Sequence, residues 1–115
     1  MAQRYLSVGD HVIAVDSKGR DHHAIITCIH GGEVVEESAV LRDNSYPEYA
    51  TVKFDEGDAP CINLVYVDPD VNKQDSWGRQ LHRESSFVHK SWQQTGGMYW
   101  RFLDEERLPM AKAHS

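Results

Sequence analysis

The chain has 115 residues, enough for one domain around one core, with 40% hydrophobic and 26% charged side chains. No apolar run approaches the roughly 18 residues that indicate a membrane span, and residues 1–6 carry no secretory leader pattern. A cytoplasmic protein without membrane contact is expected. The net charge of −6 is unevenly placed: residues 1–75 carry eight more acidic than basic side chains, and residues 76–102 carry three more basic than acidic ones. An acidic total works against duplex DNA binding, because most of the surface repels phosphate, while the basic third leaves room for a local acidic partner.

The first half reads as short strands separated by turns. Residues 7–10 (Ser-Val-Gly-Asp) turn into residues 11–15 (His-Val-Ile-Ala-Val), an apolar run of strand length, and residues 16–19 are dense in turn formers. Residues 24–30 (Ala-Ile-Ile-Thr-Cys-Ile-His) are β-branched and end at Gly31 and Gly32, a second strand that pairs with the first as an antiparallel hairpin. Residues 33–41 fit neither helical nor strand period, and residues 42–47 are a loop. Alternation in residues 50–54 puts Val52 and Phe54 on one face, Phe54 being assigned to the core. Residues 55–58 turn the chain into the strongest strand, residues 61–67 (Cys-Ile-Asn-Leu-Val-Tyr-Val), which ends at Pro69 because proline cannot donate to a ladder. Residues 73–84 are assigned a helical turn. Residues 85–90 and 98–102 are the remaining strands, on either side of a turn at Gly96 and Gly97, and residues 104–115 read as a charged, flexible tail.

Four of these segments, Val-Gly-Asp-His-Val-Ile-Ala-Val from residue 8, Ala-Ile-Ile-Thr-Cys-Ile from residue 24, Thr-Val-Lys-Phe-Asp-Glu-Gly from residue 51 and Ile-Asn-Leu-Val-Tyr-Val from residue 62, resemble the strand order of small SH3-like barrels of the Tudor and KOW type. The resemblance covers residues 7–67 and implies an SH3-like barrel. Its activities do not carry over. A reader of methylated side chains needs converging aromatic rings, and the matching positions offer Tyr46, Tyr49, Phe54 and Tyr66 with no tryptophan; Asp10, Asp16 and Asp21 dilute Lys18 and Arg20 where a nucleic-acid surface would be basic. The last third, with Asp-Ser-Trp-Gly-Arg-Gln from residue 75 and Val-His-Lys-Ser-Trp-Gln from residue 88, is similar to short proteins of tailed phages that infect actinobacteria. That similarity implies a phage-encoded protein acting in the host cytoplasm. The expected fold is mostly β: a partly open SH3-like small barrel at residues 7–67 with a C-terminal β extension at residues 68–103, forming one domain over residues 1–103.

No catalytic, cofactor or metal site is assigned. His22 and His23 point in opposite directions on an extended chain, and the paired spacing of a zinc site is absent; Cys28, His30 and Cys61 would converge only if their strands adjoined. The two cysteines sit in apolar runs, where a thiol behaves as a small hydrophobe. There is no nucleophile elbow and no phosphate-binding glycine motif.

What remains is an aromatic and basic segment holding all three tryptophans, Trp77, Trp92 and Trp100. Alternation in the final strand sets Tyr99 and Arg101 against Trp100 and Phe102, which with Val88 are candidates to close the core. A core this small does not enclose three indoles together with its aliphatic residues. Tryptophan and arginine are the types most enriched at energetic centres of interfaces, so Trp77, Arg79, Arg83, Lys90, Trp92 and Arg101 are the candidate partner-binding residues. The function expected is non-catalytic: an accessory protein that binds a host or virion protein through this surface. Base stacking on single-stranded nucleic acid suits the same residues, and self-association into a homo-oligomer is a third reading.

Overall fold

The computed structural model describes residues 2–35, 51–93 and 97–109. The expectations for residues 36–50, Tyr46 and Tyr49 among them, lie outside the described residues. Among the described residues there are ten strands and no α-helix: β1 (Gln3–Ser7), β2 (His11–Val15), β3 (Asp21–His30), β4 (Glu33–Val34), β5 (Thr51–Asp55), β6 (Cys61–Val67), β7 (Gln74–Asp75), β8 (Gly78–Arg79), β9 (Leu81–Phe87) and β10 (Tyr99–Arg101), with a 3-10 turn at Lys90–Trp92. Five strands form an antiparallel sheet in the order β10-β2-β3-β6-β9, and three form a smaller sheet in the order β1-β5-β4. The fold is mostly β, with the larger sheet strongly curled into a half-barrel, consistent with a partly open small barrel.

Register decides which side chains share a face, since residues directly opposite in antiparallel strands point the same way. Val12, Ala24, Tyr66 and His82 lie in one row across β2, β3, β6 and β9; Ile26, Leu64 and Glu84 lie in the next. These rows line the concave side, and Leu6, Val52 and Phe54 of the smaller sheet meet them to build the main core. The turn from β3 into β4 runs tight against β5 and demands a glycine at Gly32, where a Cβ would lie 2.8 Å from Val52 Cγ2 and φ is +80°.

The curl has identifiable sources. β3 carries a bulge between Ile26 and Cys28, and β9 gains an extra residue opposite β6 between Ile62 and Leu64. Bulges increase local twist. The second is held by Asn63, whose Oδ1 accepts from the N–H of Ser86 at 3.0 Å and from His30 Nε2 at 2.8 Å, while Ser86 adopts φ 57°. The chain leaving β9 then swings back to the far edge of its own sheet. Trp100 N–H donates to Val88 O at 2.8 Å, and His89 bridges Trp100 in parallel. One end of the half-barrel is thereby closed, whereas the end at Leu81 stays open.

Trp100 seals the closed end. It is fully buried, its Nε1–H donates to Pro60 O at 3.2 Å, and its ring meets His89 and Phe102 edge-on at 4.7 and 5.0 Å. On the opposite, convex face Tyr99 packs with Ile13 and Val15, covered by Val88 and Leu108.

One expectation is corrected. Residues 73–84 form β7, β8 and the start of β9 rather than a helical turn: no helix-period apolar face exists there, and Gly78 at φ 119° breaks the run. The described part of the C-terminal tail hydrogen-bonds back to the domain. Glu105 Oε1 accepts from His89 Nε2 at 2.7 Å and from Phe102 N–H at 2.8 Å, Arg107 donates to Gly19 O, and Leu108 N–H donates to Tyr99 Oη at 2.9 Å.

Trp100→Ala is expected to cost about 3–5 kcal/mol, a cavity at the closed end, read as a lowered urea midpoint. Glu105 tests the clasp on the tail. Burial pushes its pKa up, but the hydrogen bonds from His89 and Phe102 and the nearby Lys90 charge outweigh it and hold the pKa below the ordinary 4.5. A depressed folded pKa means stabilisation that is complete above 4.5 and is lost as pH falls through the folded value. Glu105→Gln is therefore expected to be less stable at pH 7 and to lose less on acidification, in urea titrations between about pH 7 and 3.

Candidate binding surface

The chain between β6 and β9 rises as an arm from the open end. Asp68 N–H donates to Gln80 O, Gln80 N–H to Lys73 O and Lys73 N–H to Asp70 O, at 2.9 to 3.0 Å, and β7 pairs with β8 above them. Every residue from 71 to 80 is exposed. Ser76 and Trp77 form the two-residue tip, where Asp75 Oδ1 accepts the Trp77 N–H at 2.8 Å and Gly78 supplies the positive φ. The Trp77 indole is 95% exposed. At the foot of the arm, Val67 and Leu81 are cross-strand partners on the convex face and both are exposed, as is Val71.

The six residues singled out in the sequence do not form one surface. Trp77 and Arg79 lie on the arm, with an Arg79 Nη donating to Asp68 O, and Arg83 lies exposed on the convex side of β9. Trp92 lies at the other end of β6, which at about 3.3 Å per residue is about 20 Å long. It is 60% exposed, but its Nε1–H donates to Ala59 O at 2.9 Å. Lys90 is tied to Glu106 O. Arg101 is largely covered: it pairs with Asp21 at 2.9 Å and donates to Glu105 O at 2.7 Å. Geometry thus separates Trp77, Arg79 and Arg83 from Lys90, Trp92 and Arg101.

Reasoning from sequence missed a polar cleft of about 390 Å³ inside the open end. Tyr66 stacks on His22 at 4.3 Å and tilts against His82 at 5.1 Å. Asp16 accepts from the N–H groups of Lys18 and Arg20, from Arg20 Nε and from His22 Nε2, all at 2.8 to 3.0 Å. Burial alone would raise the Asp16 pKa, but those hydrogen bonds, led by His22, take it far below the usual carboxylate range. His82 donates through Nε2 to Glu84 at 2.6 Å, and its Nδ1 faces Asp68 at 3.8 Å. Burial, with the charges of Glu84, Asp16 and Asp68, pushes the Tyr66 phenol above its ordinary value. The signal for this cleft was present as alternation of His22, Tyr66, His82 and Glu84 with outward residues, but it needed the pairing of β3, β6 and β9 to be seen.

His22 and His23 do point apart: His23 Nδ1 meets His11 Nε2 at 2.8 Å on the convex face. β3 and β6 do adjoin, with Cys28 opposite Asn63 and His30 opposite Cys61, both thiols being free and half-buried. Among the described residues, no three His, Cys, Asp or Glu side chains converge in a way that could hold a metal ion. No described helix is long and apolar enough to cross a membrane. Comparison with protein-family models, curated proteins and solved structures finds no match to this chain.

Tyr66 offers a direct check on the cleft. Glu84→Gln removes the strongest of the charges that oppose its ionisation, so the tyrosinate absorbance lost in Tyr66→Phe should appear at lower pH in Glu84→Gln than in the parent chain.

Proposed function

We propose that this protein is a non-catalytic binding module that docks a protein partner on the arm and the adjoining convex side of β9. The observation that carries this reading is the Trp77 indole, 95% exposed at the tip of a hairpin whose backbone is fixed by its own ladder. A large apolar ring held out in water contributes nothing to the fold and is pre-positioned for burial elsewhere. Val67, Val71 and Leu81 extend the apolar surface, and Arg79 and Arg83 supply positive charge beside it. Such a surface suits a partner that brings an apolar pocket with carboxylates at its rim.

Affinity capture from a lysate with the parent chain and with Trp77→Ala, followed by titration of the partner retained, tests the reading. Trp77→Ala should weaken that partner by about 30-fold, the size of a 2 kcal/mol hot spot, and should leave the unfolding midpoint unchanged. Equal capture by both chains contradicts it. Raising salt from about 50 to 200 mM should weaken the complex less than tenfold; a loss of several orders of magnitude would instead mark nucleic-acid binding through released counterions.

A further inference from the structure

The open seam beside β9 specifies how the partner is held. Asp68 N–H donates to Gln80 O, so in the alternating ladder the even-numbered residues of β9 exchange hydrogen bonds with β6. Leu81, Arg83 and Ser85 therefore turn their N–H and C=O groups away from β6, toward a side on which no described strand pairs with β9. The side chains of Leu81 and Arg83 lie on the convex face, in the rows of Val67 and Val65. A strand with an open edge and apolar neighbours is a template for another strand.

Charge selects the occupant. Among the described strand residues that the register sends to the convex face of the five-stranded sheet, the one acid is Asp21, and it is paired with Arg101 and Arg107. Arg83 stands in the middle of the open edge. A second copy paired antiparallel about Arg83 would set two guanidinium groups face to face, and moving the two-fold centre by one residue would oppose two Glu84 carboxylates, so symmetric self-pairing at either centre is disfavoured. Beside Arg83 lies a shallow depression of about 300 Å³ lined also by Thr27, Asn63, Leu64, Ser85 and Glu84, whose carboxylate already accepts from His82. A guanidinium, two hydroxyls and an amide form a donor set suited to a carboxylate.

We infer that β9 takes up an extended acidic segment of the partner as an added strand, with a carboxylate over Arg83 and an apolar side chain on Leu81 and Val67. This inference rests on the binding-module reading and names the chemistry of its partner. Main-chain hydrogen bonds along Leu81, Arg83 and Ser85 carry affinity, while alternate side chains carry selectivity.

The test is selection of a random twelve-residue peptide library on the full-length chain, followed by titration of the enriched peptides as synthetic probes. Enriched peptides should carry carboxylates and apolar residues in alternation, and should bind at least tenfold more tightly than versions with lysine in place of each acid. N-methylation of alternate peptide amides should abolish binding in one register and spare it in the other, the signature of strand addition. Arg83→Glu should reverse the charge preference while the unfolding midpoint stays within a degree or two. Peptides that depend on Trp77 but ignore both N-methylation and Arg83→Glu would overturn the strand-addition inference and leave the binding-module reading standing. Enriched peptides indifferent to Trp77→Ala as well would overturn both, and failure to enrich any acidic peptide would overturn the inference.

Discussion

The hydrogen bond from Trp100 N–H to Val88 O fixes how far the five-stranded sheet can curl. It joins the last strand to the segment that follows β9, two pieces of chain at opposite edges of one sheet, and its donor residue is fully buried. An antiparallel sheet with one face on a core leaves two edges open. Here a single bridge covers both edges at one end, and the indole fills the space that the bridge encloses.

Everything distinctive about the other end follows from the closure being local. Beyond Glu84 toward Leu81, β9 has no described neighbour on its free side, and the concave rows change from Phe87, Ile62 and Leu64 to Tyr66, His82 and Glu84. Polar side chains replace apolar ones where water can enter, and they pair among themselves: Asp16 with Arg20 and His22, Glu84 with His82. The arm that carries Trp77 departs from this wet end, so its indole has no core to reach. Burial of one tryptophan and exposure of another are consequences of the same asymmetry.

Where a strand is dry on one face, its pattern was readable. Val52 and Phe54 and the run from Cys61 to Val67 show the two-residue period that burial imposes. Where both faces are wet the pattern vanishes. The first four residues of β9, Leu-His-Arg-Glu, line the cleft and the convex surface and look like a polar turn until β6 is placed beside them. β1 escaped notice because only Leu6 of its five residues is buried. Composition required that some indole remain exposed, and alternation with Phe102 assigned Trp100 to the core, but separating Trp77 from Trp92 needed the arm and the Ala59 carbonyl. The two ends of β6 are remote in space, a fact that a list of aromatic and basic residues within one stretch does not contain.

Amide hydrogen exchange, resolved by residue, reads the closed and open ends in one experiment. The Trp100 amide should exchange at the rate set by global unfolding, while the amides of Leu81, Arg83 and Ser85 should exchange quickly in the isolated chain. Slow exchange at all three edge positions, or fast exchange at Trp100, would contradict a half-barrel shut at one end and open at the other.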